Sequence, residues 1–359
     1  MDHGSGPKGR YLNFYSATQA SPVNNCTAVH WHGVRMWDNV QNDGVPDITQ
    51  CSIAPGDTLS YKFRATQNGT SQSQTHFLLQ YSECLFGAIV LNGPAAADYD
   101  VDLGPLILQD SSHTPIFTAW AKLQEWGITH LFNNLLVNGT NTFDCSNVDD
   151  ANCLGDGKKF QLSLEPGKKH LLRLVNVAAD SQFRFNIDGH SLQVIASEFV
   201  PIKPCNADVI TISSGQRYDI VIEANAAPGN YWMRGGWVSS KYCFGVANEH
   251  PEDMTGIVRY DAADTRLPLS TTATPPPETC ADEPKESLIP CMSVNVSNLT
   301  EMFVEDFNVR LNHKGMFKWK NISNAAAANK TDFTSVRDIY KRSIMSPDEV
   351  DFDRLGDTY

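Results

Sequence analysis

The sequence predicts an all-β protein made of antiparallel sandwiches or barrels, and two observations support this prediction. Polar and apolar residues alternate from Phe160 to Leu164 and from Phe183 to Ile187, and the second run ends at the turn Asp188-Gly189. Alternation with a period of two is typical of strands that bury one face. Short strand-like segments continue to about residue 260 without intervening helices, and this spacing indicates antiparallel sheets.

The remaining elements follow in chain order. Three more strands are predicted, each bounded by Gly, Pro, Asn or Ser: Val209–Ile212, Tyr218–Ile222 and Tyr231–Met233. From Ser270 to Pro290 the composition shifts to Thr, Pro, Glu and Asp, which is typical of an interdomain linker. Beyond it, Asn308–Trp319 is predicted to form a strand pair, and the polar tail from Thr331 is partly helical in pattern.

Length and composition limit the classes of protein to which the chain can belong. Its 359 residues favour two to three domains, and 41% hydrophobic with 19% charged residues is a globular balance. The net charge of −13 argues against nucleic-acid and anionic-membrane partners, because both present phosphates that would repel this surface. We find no apolar run of about eighteen residues and therefore expect no membrane span.

Cysteines and glycosylation sequons indicate an oxidising compartment. None of the nine cysteines forms a CxxC pair, and seven Asn-x-Ser/Thr sequons begin at Asn25, Asn68, Asn138, Asn295, Asn298, Asn321 and Asn329. This combination predicts a secreted glycoprotein with disulfides, in which Cys145 and Cys153 are candidates for a local pair. The segment Met1 to Gly6 lacks the apolar core of a signal peptide, so either the protein stays inside the cell or this is not its true start.

The strongest chemical signal is His30-Trp31-His32-Gly33. Residues two apart on a strand face the same side, so the two imidazoles are expected to project together. Imidazole binds copper, zinc, iron and nickel, so the pair alone does not select a metal. An ordinary surface or core pair is the alternative interpretation.

The surrounding sequence resembles multicopper oxidases, and ascomycete laccases in particular. The segment Thr27–Arg35 is similar to their first copper-binding motif, and Asn42–Pro46 with Ile48–Gly56 is similar to the segment that follows. The likeness continues through Phe185–His190 and Gly215–Ile220, and it covers roughly residues 24 to 262.

This resemblance implies tandem cupredoxin-like Greek-key β-sandwich domains. We expect an incomplete first domain over residues 1–98, a copper-free second domain over 99–262, a linker over 263–293, and a remnant of a third domain with an unmatched tail over 294–359. In the family, a type 1 copper in the third domain takes electrons from a phenol. A trinuclear cluster between the first and third domains reduces dioxygen to water.

The resemblance also implies roles for five residues. His30 would bind the type 2 copper, and His32 and His76 would bind the two type 3 coppers. Asp43 would help deliver protons to the cluster, and Glu198 would accept the proton of the phenol, for which a carboxylate is chemically suited. A solvated loop carboxylate is the alternative for Glu198. The family further implies an extracellular monomer that acts on phenols and dioxygen.

The chain departs from the family in ways that lead us to expect an inactive protein. The second copper motif, normally Trp-Tyr-His-Ser-His, is Gln72-Ser73-Gln74-Thr75-His76 here, and a glutamine amide is a poor substitute for imidazole on copper. No cysteine has a histidine beside it, so the His-Cys-His of the type 1 site is absent from the sequence. Only twenty-nine residues precede His30, too few for a signal peptide and the opening strands, which favours an incomplete gene model or a decayed gene copy.

Two rival functions remain open at this stage. One is a non-catalytic secreted β-protein that binds at most one copper through His30, His32 and His76. The other is a ferroxidase or an ascorbate-oxidase type of multicopper oxidase. By resemblance, Cys243 would pair with Cys280, and Cys51 with a cysteine near the C-terminus of the family.

Overall fold

The computed structural model describes residues 26–126, 132–146, 153, 155, 157–237, 254–271 and 281–292, with the backbone of 14–15, 306–311 and 317–322. The chain divides into two compact units, one of residues 1–117 and 130–293 and one of residues 118–129 and 294–359. Over these described segments, no helix is long and apolar enough to cross a membrane.

The N-terminal part of the first unit is built from short strands around a small aromatic core. The strands are β1 (Phe14–Tyr15), β2 (His30–Trp31), β3 (Ser60–Tyr61), β4 (Gly69–Gln74) and β5 (Phe86–Leu91), and a 3₁₀ turn spans Val40–Asn42. Strands β2, β4 and β5 form one sheet in that order, and β1 pairs with β3. Trp31, Tyr61 and Phe63 lie at the centre of the core, which fixes β2 against the rest of the domain.

The rest of the first unit is a two-sheet sandwich. Its strands are β6 (Val101–Ser111), β7 (Asn134–Val137), β8 (Phe160–Ser163), β9 (Lys169–Asn176), β10 (Phe183–Ile187), β11 (Leu192–Ser197), β12 (Val200–Ala207), β13 (Ile210–Ile212), β14 (Arg217–Glu223), β15 (Asn230–Trp237) and β16 (Thr255–Arg259). One sheet has the order β12-β11-β14-β9-β6-β7 and the other β13-β10-β15-β16-β8. Apolar side chains that alternate along both sheets meet in a single core between them.

Most of the predicted elements of this sandwich are confirmed, and two details differ. The strands predicted from the sequence between residues 160 and 233 are all present. Not every pair is antiparallel, however, because β6 pairs with β9 and β8 with β16 in parallel. In both pairs the partners are far apart in sequence, and a long connection permits the parallel direction.

The expectation of no intervening helix was wrong. Helix α1 spans Ile116–Trp126, directly after Pro115. Proline suits the first turn of a helix. The segment also contains several strong helix formers, namely Ala, Lys, Leu, Gln and Glu, which outweigh the strand preference of its aromatic residues.

The second unit contains residues 118–126 of α1 and a hairpin. The hairpin consists of β17 (Asp306–Leu311) and β18 (Phe317–Ile322), which pair in antiparallel fashion and confirm the predicted strand pair. The predicted helical tail from Thr331 lies outside the described residues.

The described parts of the predicted linker pack against the sandwich. Ser270 donates a hydrogen bond to Asp188, and the backbone amide of Thr211 donates to Glu283 at 2.6 Å. The amide of Cys291 donates to the carbonyl of Pro201 at 2.9 Å. The segment is therefore held to the sandwich by hydrogen bonds at several points along its length.

One of the expected disulfides falls within the described residues. Cys145 and Cys153 form a disulfide with Cα atoms 5.8 Å apart. The thiol of Cys51 is free and exposed. Cys243 and Cys280 lie outside the described residues.

Candidate metal centre

Three imidazoles gather beside β2. Because Trp31 points into the core with 2% of its surface exposed, His30 and His32 share the opposite face, and their ring centroids are 6.0 Å apart. His76 follows β4, and its ring meets the His30 ring edge to face with centroids 4.6 Å apart. Within the described part of the chain, no three His, Cys, Asp or Glu side chains form a group that could hold a metal ion by themselves.

Asp43 determines which nitrogen of His30 is free. The Nδ1 of His30 lies 2.8 Å from the backbone carbonyl of Asp43, which can only accept a hydrogen bond. Nδ1 must therefore carry the proton, and Nε2 keeps a lone pair that can bind a metal. The carboxylate of Asp43 lies 3.4 Å from the same Nδ1 and is 24% exposed.

Gly44 allows Asp43 to approach the His30 ring. Gly44 has a φ of +87°, and a Cβ built on it would lie 1.7 Å from the carbonyl oxygen of Val29. Only a residue without a side chain fits here, and the turn can thus bring Asp43 against His30.

Burial and positive neighbours keep two of the imidazoles neutral. Burial, aided by Arg217 and His30, lowers the pKa of His32 from 6.5 to about 4. Burial and His30 also lower the pKa of His76, while Asp43 opposes that shift. Neutral imidazole is the form that binds metal ions. The Nδ1 of His32 is buried and has no hydrogen-bond partner.

Gln74 occupies the position directly opposite His30 in the pairing of β2 with β4. Its Oε1 accepts a hydrogen bond from Gln72, and its amide is also hydrogen-bonded to His32. The three imidazoles fit copper in their chemistry, although they do not form a complete site by themselves, whereas the neutral amide of Gln74 does not fit it. The residues present therefore fit part of a copper site.

Glu198 lies on the sandwich, in the turn between β11 and β12, at a φ of +60°. Its carboxylate forms an ion pair with the guanidinium of Arg217 and accepts a hydrogen bond from the Arg217 amide at 3.2 Å. Burial raises the pKa of Glu198, and the adjacent guanidinium opposes that rise. The side chain is 36% exposed, so Glu198 is an anchored carboxylate with one side open to solvent.

Arg217 lies between the sandwich and the N-terminal strands of the first unit, and no role was predicted for it from the sequence. It is 1% exposed, and a Cβ on Gly33 would lie 2.9 Å from its Nη2. It pairs with Glu198, and its charge lowers the pKa of His32. Its motif, Gly215-Gln216-Arg217, resembles the family, but nothing in the local pattern indicates that Arg217 contacts the N-terminal strands.

Comparison with known proteins places these features in a family. Two family models, both described as multicopper oxidase, match residues 20–96 and 104–263. Laccase-2 of Botryotinia fuckeliana is 44% identical over 334 residues, which cover 93% of this chain and 56% of the relative. Laccase-1 of the same fungus is 49% identical and covers 76% of this chain and 46% of the relative.

Solved structures of similar proteins support the same family. The crystal structure of the laccase from Botrytis aclada is 45% identical with a TM-score of 0.78, and it covers 84% of this chain and 54% of that protein. The chain thus spans about half the length of the relatives it matches. The expected all-β, cupredoxin-like fold is confirmed, and the family implies copper as the cofactor. With about two-thirds of its length matched by the two models, the chain belongs to the multicopper oxidase family.

Proposed function

We propose that this chain is the copper-cluster portion of a laccase-type oxidase, which oxidises phenols and reduces dioxygen to water. The observation that carries the proposal is the group of three imidazoles on one face, two of them with lowered pKa values. The similarity to laccases supports the same assignment and does not favour a ferroxidase or an ascorbate oxidase.

The imidazoles would divide between two kinds of copper. His30 would hold the type 2 copper through Nε2, and His32 and His76 would each contribute to the type 3 pair. Copper bound there would supply one-electron redox chemistry toward dioxygen. Further ligands must come from residues other than those described, because the three imidazoles do not complete any of these sites.

Two carboxylates would handle protons. Asp43 lies beside the His30 ring and is partly open to solvent, so it could pass protons from water toward the cluster. Glu198 would accept the phenol proton, and its ion pair with Arg217 holds the carboxylate in one orientation. We propose further that the protein is extracellular, which the Cys145–Cys153 disulfide and the sequons favour, and that it is a monomer, as the resemblance to laccases implies.

Gln74 favours a second candidate function. An amide in place of the fourth imidazole leaves His32 without its partner for a type 3 copper. The 359 residues also contain no His-Cys-His for a type 1 site. We therefore propose that these residues by themselves bind at most one copper and do not turn over a phenol.

A chimera tests the laccase assignment. Residues 1–293 would be fused to the corresponding C-terminal half of the Botrytis aclada laccase, with Gln74 or with Gln74→His, and oxygen uptake would be followed with a phenol, ascorbate or ferrous iron. We expect the Gln74→His chimera to consume oxygen with the phenol, at a rate at least about tenfold above that of the Gln74 chimera. A copper-loaded Gln74→His chimera that takes up no oxygen with the phenol would contradict the proposal that this chain supplies half of the cluster.

A further inference from the structure

Asn138 lies at the tip of a tight hairpin turn. Val137 and Thr140 exchange two backbone hydrogen bonds of 3.1 Å, and the two residues between them, Asn138 and Gly139, have φ angles of +49° and +74°. Two consecutive positive φ angles indicate a type I′ turn, for which Asn-Gly is the preferred pair. The turn is exposed, and a Cβ on Gly139 would meet no atom within 4 Å.

The side chain of Asn138 is oriented by one strand neighbour. The backbone amide of Asn138 donates to the carbonyl of Ile107 at 2.8 Å, and its Oδ1 accepts from the Ile107 amide at 2.7 Å. Because Oδ1 is turned toward β6, Nδ2 on the other side of the amide is turned away from the sheet. Nδ2 is the atom to which an N-linked glycan is attached.

Asn68 carries the same sequon, Asn-Gly-Thr, in a different setting. Its Nδ2 donates to the carbonyl of Pro94 at 2.9 Å, and a Cβ on Gly93 would lie 2.3 Å from the Asn68 Cβ. Thr70 of this sequon is completely buried and hydrogen-bonded to Asp219. A glycan on Asn68 would have to separate its side chain from the Gly93–Pro94 segment.

We propose that Asn138 is an N-glycosylation site of the folded protein and that Asn68 is not. The proposal rests on the extracellular localisation proposed above, since glycans of this type are added in the secretory pathway. Attachment at Asn138 retains both bonds to Ile107, because neither uses Nδ2. The two sequons have identical residues, and what separates them is their tertiary environment.

Glycopeptide mapping tests this inference directly. The full chain would be expressed with a secretion leader in a eukaryotic host, and folded protein from the medium would be digested after glycosidase release in heavy-oxygen water. We expect the isotope label on the Asn138 peptide and none on the Asn68 peptide. Label on both peptides, on neither, or on Asn68 alone would overturn the inference.

Two variants provide the matched control. Asn138→Gln should increase the mobility of the secreted chain by one glycan on a gel, whereas Asn68→Gln should leave the mobility unchanged. The leader supplies the secretory route, so this result does not depend on where the native protein resides. Absence of the native protein from the medium of its own cells would contradict the localisation and leave the site assignment intact.

Discussion

At the scale of single residues, the sequence predicted the candidate ligands but not their partners. The period of a strand was enough to place His30 and His32 on one face, and the family resemblance added His76. The bond from His30 to the Asp43 carbonyl could not be predicted, because it depends on the path of the turn before Gly44. The same holds for Arg217, whose partner Glu198 is nineteen residues away on another strand end.

Gln74→His should restore the missing imidazole. We expect copper to bind at least about tenfold more tightly at the His32 side, a change of about 1.4 kcal/mol or more, because an imidazole replaces a weakly donating amide. Calorimetric titration with copper measures this change. The control is Gln193→His, which adds an imidazole to β11 of the sandwich. An equal increase in copper affinity in this control would contradict the role of position 74.

The low pKa of His32 predicts a pH dependence in the metal-free chain. The unfolded chain binds a proton at His32 near pH 6.5, whereas the folded chain does so only near pH 4. Stability is therefore lost as the pH falls from about 6.5 to about 4, by about 3 kcal/mol for the full shift and by about 2 kcal/mol once the partial exposure of the ring to solvent is allowed for. Urea unfolding with a chelator present measures this loss, and His32→Asn should make it smaller. An unchanged slope in the variant would contradict the assignment.

At the scale of elements, hydrophobic periodicity predicted the sandwich well and the metal-binding region poorly. Strand β10 alternates over its whole length, and β14 alternates from Arg217 to Ile220 before an apolar run, so their apolar residues identify them. Strand β2 has only two residues, and no periodic pattern can be recognised in so short a segment. The loops that surround it are held by turn geometry and by contacts between distant residues, which local patterns do not encode.

Gly44 and Gly56 provide a matched pair for testing this geometry. Both have positive φ angles, +87° and +83°, so alanine at either costs about 1–2 kcal/mol from backbone strain. Only at Gly44 would the new Cβ also collide with the Val29 carbonyl, while Gly56 has open space around it. We expect Gly44→Ala to destabilise the fold by about 3 kcal/mol or more and to weaken copper binding. If chemical denaturation gives the same decrease in the free energy of unfolding for both variants, the collision does not contribute to stability.

At the scale of the whole molecule, the N-terminal strands and the sandwich of the first unit are joined by buried polar contacts. Thr70 of β4 donates a hydrogen bond to Asp219 of β14, and Arg173 of β9 donates to both of them at 3.0 and 3.1 Å. Arg173 also pairs with Asp102 at 2.8 Å. This network could not be predicted from the sequence, because its hydrogen-bonded pairs are separated by 46 to 149 residues.

Arg173→Ala tests the polar network that Arg173 forms with Thr70, Asp219 and Asp102. Removing the guanidinium would leave the carboxylate of Asp219, which is about 6% exposed, buried without its charge partner. We expect a loss of about 3–5 kcal/mol in the free energy of unfolding. The control is Arg266→Ala, which removes a guanidinium that is 85% exposed and pairs with Asp264, and it should leave stability almost unchanged. Similar denaturation midpoints for the two variants would contradict a stabilising role for the network.

The central claim is that His30 and His76, brought together beside β2, hold copper in this chain. The most direct measurement is the copper content of the reconstituted, extensively dialysed chain by mass spectrometry, compared with that of the double variant His30→Ala/His76→Ala. The proposal predicts a measurable copper content, no higher than one per chain, in the wild type and its loss in the double variant. A wild type that retains no copper, or a double variant that retains the same amount as the wild type, would contradict it.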